Sequence, residues 1–287
     1  MALRDLLVYV DDSAAGLARM RLGADLAHRH GARLSVLHVS GTSDHALRLL
    51  RGAELGLVPA QKLEELLERI AQRGSEASAR LHAALDALGE QYRLSMEWRA
   101  VDGSAQRVVP QHARYADLTV VGHGGPQTDD EVSGYSFAET MLFTVGRPLI
   151  LVPTTVTGGV LGRRLAIAWN SSRPAARAVA DVLPLVEKAE TTTLITANAS
   201  DLERHGAPPA AMMADHLRRH GATVSTVMCE ARHASVGDTL QACAQQAQAD
   251  LLVAGAYGHP RIWEKLLGGV TRDLRSRLTM PILMSSA

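Results

Sequence analysis

Short apolar runs alternate along the chain with longer stretches in which apolar residues recur every three or four positions. The runs fall at Leu3–Val10, Arg33–Val39, Ser95–Val101, Asp117–Gly122 and Pro148–Val152. They recur at Arg164–Trp169, Thr192–Ala197, Thr223–Cys229, Asp250–Gly255 and Pro281–Met284. Runs so short and so rich in Val, Ile and Leu predict strands buried on both faces. Segments between them, such as "AAGLARMRLGADLAHRH", predict amphipathic helices. Strands alternating with helices imply a parallel sheet covered on both sides, and right-handed crossovers make it doubly wound.

The pattern is written twice. "ADLTVVGHGG" (116–125) matches "ADLLVAGAYG" (249–258), and "GRPLILVP" (146–153) matches "TMPILMSS" (279–286) at the same offset; "RDLLVYVDDS" (4–13) parallels "RRLAIAWNSS" (163–172). An internal repeat of this length means two homologous domains, expected at 1–154 and 163–287. The small, Gly- and Thr-rich "TTVTGGVLG" (154–162) reads as their linker. The predicted fold is α/β, with two Rossmann-like α/β/α sandwiches in tandem. Ligands of such folds bind beyond the C-terminal strand ends, where the strand order switches. Asp11, Asp12, Gly122, Asn170 and Gly255 sit at those ends. Segment 41–91 is longer than its counterpart 199–221, carries the acidic run "EELLE", and is expected to form a lid or an interaction surface.

The stretch "GAYGHPRIWEKLLGGVT" (255–271) follows the fourth strand of the second half. It holds Gly255 and Gly258, then nine residues, then Gly268, Gly269, Val270 and Thr271, before the helical pattern "TRDLRSRL". Free amides at a helix start, with glycines that let oxygens approach, suit a phosphate, and Thr271 adds a hydroxyl. Neither GxxxxGK[ST] nor GxGxxG is present. The spacing resembles the ATP-binding signature of the universal stress protein family, G-x2-G-x9-G-[ST] followed by V-T, and the likeness extends over both halves.

That resemblance implies ATP or ADP, with Mg2+ as an optional companion, bound in the second half. Gly255, Ala256, Gly258, His259, Gly268, Gly269, Val270 and Thr271 would hold the phosphates. Ala168, Asn170, Ser171 and Thr196 would face the base and ribose. Two positions depart from the family: Gly269 stands where Ser or Thr is usual, and Asn170 where Asp is common. The first half keeps Asp11, Gly122 and Gly125 but has Tyr135, Ser136 and Ala138 in place of Gly268, Gly269 and Thr271. Its loop also carries Asp129, Asp130 and Glu131, which would repel a triphosphate. It is expected to be empty.

The resemblance further implies an internal pseudo-dimer, with "RPLILVP" and "PILMSS" side by side; a homodimer is the other assembly it suggests. The implied role is a stress-response sensor or regulator with an unidentified protein partner. No general base, Walker B acid or nucleophile can be assigned, so hydrolysis is expected to be slow or absent. The alternative from another class is a nucleotide-free scaffold. An adenylate-handling enzyme would need a catalytic motif that the chain lacks.

Other constellations read as structural. Asp11, Asp12 and Asp102 imitate a phospho-acceptor receiver, but no Lys follows the fifth strand. His216 and His220 are spaced to share a metal but stand among arginines with no third ligand nearby, as on a solvated helix face. His38 is expected as a satisfied core histidine. Trp169 and Trp263 are expected to pack, and Lys265 and Arg261 are candidate phosphate partners. With 30 basic and 30 acidic residues, nothing recruits nucleic acid or a membrane. No apolar run is long enough to span a bilayer, and the N-terminal run reads as a strand rather than a signal peptide. Cys229 and Cys243 are not in CxxC spacing, so free thiols and a cytoplasmic, reducing setting are expected.

Overall fold

The computed structural model describes residues 2–57, 59–123, 137–197, 210–231, 234–256 and 278–286. The first half runs β1 (Asp5–Val10), α1 (Ala14–His30), β2 (Arg33–Val39), α2 (Thr42–Glu54), α3 (Ala60–Tyr92), β3 (Met96–Val101), α4 (Ala105–Ala113), β4 (Leu118–His123), α5 (Phe137–Thr144) and β5 (Leu149–Pro153). The second half continues with β6 (Arg164–Ala168), α6 (Arg173–Val186), β7 (Thr191–Ala197), α7 (Ala210–Arg219), β8 (Val224–Cys229), α8 (Val236–Gln246), β9 (Leu251–Ala256) and β10 (Ile282–Ser286).

All ten strands join one sheet in the order β3-β2-β1-β4-β5-β10-β9-β6-β7-β8. Pairing is parallel within each half. It is antiparallel between β5 and β10, where Ile150 faces Leu283 and Leu151 faces Ile282. The two apolar repeats thus cover each other's edges and form the pseudo-dimer seam, which removes two sticky edges at once. One face of the sheet packs Met20, Leu22 and Leu26 of α1, Leu81 and Leu85 of α3, Val182 of α6 and Leu217 of α7. The other packs Val109 of α4, Met141 of α5 and Leu240 of α8.

The repeated "AD" before β4 and β9 acts as a clamp. Asp117 accepts from the backbone N–H of Arg4 and Asp5 at 2.9 and 3.0 Å. Asp250 accepts from Gly162, Arg163 and Arg164 at 2.5, 3.1 and 2.9 Å. Each therefore holds the start of the neighbouring first strand of its half. The end of the linker is consequently anchored: Leu161 is fully buried and its carbonyl accepts from Arg29. Across the same junction Lys188 donates to the Arg29 carbonyl at 2.6 Å.

The cysteines correct the sequence expectation. Cys229, at the end of β8, and Cys243, on α8, form a disulfide across a separation of 14 residues, with Cα atoms 7.0 Å apart. The crossover from β8 returns α8 over the strand ends, so distance along the chain was no guide to distance in space. The inference from free thiols to a reducing compartment loses its basis. Closing a loop of this size restricts the unfolded chain and contributes about 3 kcal/mol. Urea unfolding with and without reductant should show that loss, and the Cys229→Ser/Cys243→Ser variant should be insensitive to reductant. Identical midpoints for the wild type under both conditions would mean the thiols are unbonded. No described helix is long and apolar enough to cross a membrane.

Candidate functional site

In each half the strand order switches beside the first strand, between β1 and β4 and between β6 and β9. The chain leaves β1 and β6 through the same device. Asp11 Oδ1 accepts from the Ser13 N–H at 3.1 Å, and Asn170 Oδ1 accepts from the Ser172 N–H at 3.2 Å. Ser13 and Ser172 then cap α1 and α6 by accepting from Gly16 and Ala175. An Asx turn feeding a Ser N-cap needs a side-chain oxygen at the first position, and Asp and Asn both supply one. Ser171 holds φ at 59° within this turn. The exchange of Asp for Asn therefore leaves the turn intact.

What differs is the second atom of the side chain. Asp11 Oδ2 is ion-paired to Arg19, which is 2 % exposed. Arg19 also donates to the Tyr9 carbonyl at 3.3 Å. Burial pushes the Asp11 carboxyl up, but the Arg19 guanidinium and the Ser13 hydrogen bonds outweigh it and hold it below the usual carboxylate value. The position matching Arg19 in the second half is Ala178, which is buried. Acid and guanidinium are thus lost together, and Asn170 presents a neutral, exposed amide at the crevice. Arg19 was missed in the sequence. Its signal was a basic residue on the inward face of α1, three residues after Gly16 and four before Gly23.

Gly255 and Gly122 occupy matching places at the ends of β9 and β4, yet for different neighbours. A Cβ on Gly255 would lie 2.3 Å from the Pro174 carbonyl carbon and 2.6 Å from the Ala175 nitrogen. A Cβ on Gly122 would meet Arg19 Nη1 at 2.6 Å. So Gly255 is required for the close approach of α6. Ala256 is fully buried, Ala168 half-buried, and Thr196 is buried at the end of β7, its hydroxyl without a partner among the described residues. Ala168, Asn170, Ser171, Thr196, Gly255 and Ala256 thus gather at the strand ends around β6. Gly258, His259, Gly268, Gly269, Val270 and Thr271 lie outside the described residues, as do Arg261, Trp263 and Lys265. In the first half Gly125, Asp129, Asp130, Glu131, Tyr135 and Ser136 do too. Ala138, the counterpart of Thr271, is described: it is buried in α5.

The remaining candidates divide. Asp102 accepts from the Ser43 N–H at 3.1 Å and from the Ser40 and Ser43 hydroxyls, which ties the start of α2 to the end of β3. His216 and His220 touch edge to face with ring centroids 4.8 Å apart, and no metal-ligand cluster occurs among the described residues. Burial, then His220 and Arg219, lower the His216 pKa. Trp169 packs against the core as expected. His38 is only half satisfied among the described residues: Nδ1 lies 3.3 Å from the Val10 carbonyl, while Nε2 is buried with no partner among them. It borders a cavity of about 370 Å³ beneath α2 and α3, the segment expected as a lid.

Residues 3–153, more than half of the chain, match the model of the universal stress protein family. The chain belongs to the universal stress protein family. No curated protein matches it in sequence. Solved structures of similar fold include a universal stress protein from Archaeoglobus fulgidus, 15 % identical. It aligns over 98 % of this chain and 96 % of its own, with a TM-score of 0.69. A putative universal stress protein from Pseudomonas aeruginosa, 14 % identical, aligns over 99 % of this chain and 94 % of its own at 0.57. A universal stress protein in complex with cAMP, 19 % identical, covers 54 % of this chain and 100 % of its own at 0.34. At these identities the first two likenesses establish the fold alone: two doubly wound α/β units in tandem, joined here through β5 and β10.

Proposed function

We propose that this universal stress protein binds ATP or ADP in its second half, with Mg2+ as an optional companion, and acts as a regulator with little or no catalysis. The main support is the crevice between β6 and β9. The Gly255–Gly258–Gly268 spacing begins on one side of it, and the uncharged Asn170 stands on the other. A neutral amide there adds no repulsion toward a triphosphate, whereas a carboxylate would. In the first half Arg19 and Asp11 are committed to each other, and buried Ala138 offers no hydroxyl.

Calorimetric titration of the full chain tests the proposal. One ATP per chain is expected. Gly258→Val and Gly268→Val should abolish binding with native circular dichroism, while Gly125→Val leaves it unchanged. Two equivalent sites, or near-normal affinity in folded Gly258→Val, would overturn it. Absence of nucleotide both in the titration and in a native mass spectrum would leave the scaffold.

Asn170→Asp tests the base-side assignment. The oxygen that holds the Asx turn survives, so stability should stay within about 0.5 kcal/mol. The donor at the crevice is replaced by an acceptor. One such hydrogen bond is worth roughly 0.5–1.5 kcal/mol, so the ATP-to-GTP preference should move about threefold to tenfold. Competition binding would show it. If Asp11→Asn shifts the preference and Asn170→Asp does not, the nucleotide is in the other half.

A further inference from the structure

The sheet has two outer edges, β3 and β8, and they are defended differently. β3 carries charge: Glu97 is ion-paired with Arg33 at 2.7 Å and with Arg99 at 2.8 Å. Charged side chains along an edge discourage another strand from adding to it. β8 reads VSTVMC, without a charge or a proline. Ser225, Thr226, Val227 and Met228 are all exposed, Met228 at 75 %. Uncharged, rich in β-branched residues and uncovered, this strand is built to pair again.

The backbone shows which groups are open. The Thr192 N–H donates to the Thr223 carbonyl at 2.9 Å, so Thr223 points its polar backbone groups toward β7. Alternation along the strand turns those of Ser225 and Val227 the same way and leaves those of Val224, Thr226 and Met228 facing outward. The Arg218 guanidinium donates to the Val224 carbonyl at 3.3 Å, in agreement. Among the described residues β8 pairs with β7 alone. Both ends of the strand are pinned, Val224 by Arg218 and Cys229 by its disulfide to α8. An edge already ordered in this way pays little entropy on gaining a partner.

Charge selects the partner. Arg218 and Arg219 end α7, two turns of chain before β8, and Glu230 follows the strand directly; all three are exposed. An antiparallel copy of β8 brings the Glu230 of each chain to the arginine end of the other. A parallel copy would set like charge against like. Addition of β8 to β3 would meet Glu97 and Arg99, and as a head-to-tail contact it would not close.

We propose that β8 is a self-association surface, through which two copies of the chain pair antiparallel in a closed two-fold dimer. Thr226 of each copy exchanges backbone hydrogen bonds with Thr226 of the other, Met228 lies opposite Val224, and Glu230 meets Arg218. The sheet then runs on across both chains, through the same kind of antiparallel contact that joins β5 to β10 within one. An interface one strand wide is small, so the dimer is weak, with a Kd on the order of 10 μM. The dimer does not rest on the nucleotide reading.

Sedimentation equilibrium of the full chain from about 1 to 300 μM, a range that brackets this Kd, tests it. A monomer–dimer equilibrium is expected. Thr226→Pro removes an outward N–H only, so it should abolish the dimer and keep native circular dichroism. Met228→Lys, at an exposed position, should weaken the dimer at least about tenfold. Glu230→Arg should weaken it about tenfold at low salt, because each copy carries the change, and Arg218→Glu/Glu230→Arg should recover most of that loss. A monomer throughout the range would overturn the proposal and leave the edge to a strand of another protein. A dimer that survives both Thr226→Pro and Met228→Lys would overturn it too, since its contact then lies elsewhere. So would a charge swap no tighter than Glu230→Arg alone, which excludes the antiparallel register.

Discussion

Gly255→Ala destabilises the chain by about 3 kcal/mol, far more than an alanine costs at most glycines. The new Cβ would sit 2.3 Å from the carbonyl carbon of Pro174, and the atoms around it are backbone. Relief requires moving the first turn of α6. That helix is fixed by Ala178, Val179, Val182, Leu185 and Val186, all in the core. Close-packed interiors do not absorb such a shift without losing contacts along the helix. Gly122→Ala is the control. Its Cβ meets the end of a side chain, Arg19, which can swing aside at a cost of about 1 kcal/mol. Urea unfolding of the two variants decides. If Gly255→Ala is no worse than Gly122→Ala, then α6 is not seated against β9 as described, and Gly255 is free to serve the loop alone.

Asp11→Asn costs about 3 kcal/mol, because it strands the buried Arg19 guanidinium without its counter-charge. Arg19→Met costs less, since the Asp11 side chain is 30 % exposed and water can take over part of its solvation. Combining the two reproduces the neutral arrangement of Asn170 and Ala178. It should recover most of the loss, giving a coupling energy of about 2 kcal/mol in the double-mutant cycle. The pair also sets a pH dependence. The folded-state pKa of Asp11 lies below its ordinary value, so its contribution is fully present above that value and disappears as pH falls through the folded one. The wild type should therefore lose stability below about pH 4 by more than Asp11→Asn does. Additive single effects, or acid sensitivity unchanged in Asp11→Asn, would show that the ion pair contributes nothing.

Eight of the strands were legible because they are buried on both faces, and a continuous run of Val, Ile and Leu admits few other fates; the edge strands β3 and β8, which are half-buried or exposed, were legible only from their apolar residues and their place in the repeat. Each observed strand lies within about two residues of its apolar run. The β5–β10 seam was legible for a related reason: "PLILVP" and "PILMSS" are too apolar to remain as edges. The sequence shows Asn170 where the family commonly has Asp but not the turn it makes: in the structure its side-chain oxygen accepts from Ser172, a task that Asn and Asp perform equally well. Gly255 lies at the end of β9, and the close approach of the α6 backbone, which the sequence did not reveal, already excludes a side chain there.

The sequence by itself determined the tandem repeat, the ten strands, their parallel pairing within each half and the residues that collect at the strand ends. These follow from periodicity and local chemistry, which act between neighbours in the chain. Only the tertiary structure decided which groups meet across elements: Asp11 with Arg19, Gly255 with Pro174, Cys229 with Cys243, and His38 with a cavity beneath α2 and α3. Each of these depends on how a crossover helix lies over the strand ends. That placement is set by the summed packing of many side chains, so no short stretch of residues encodes it.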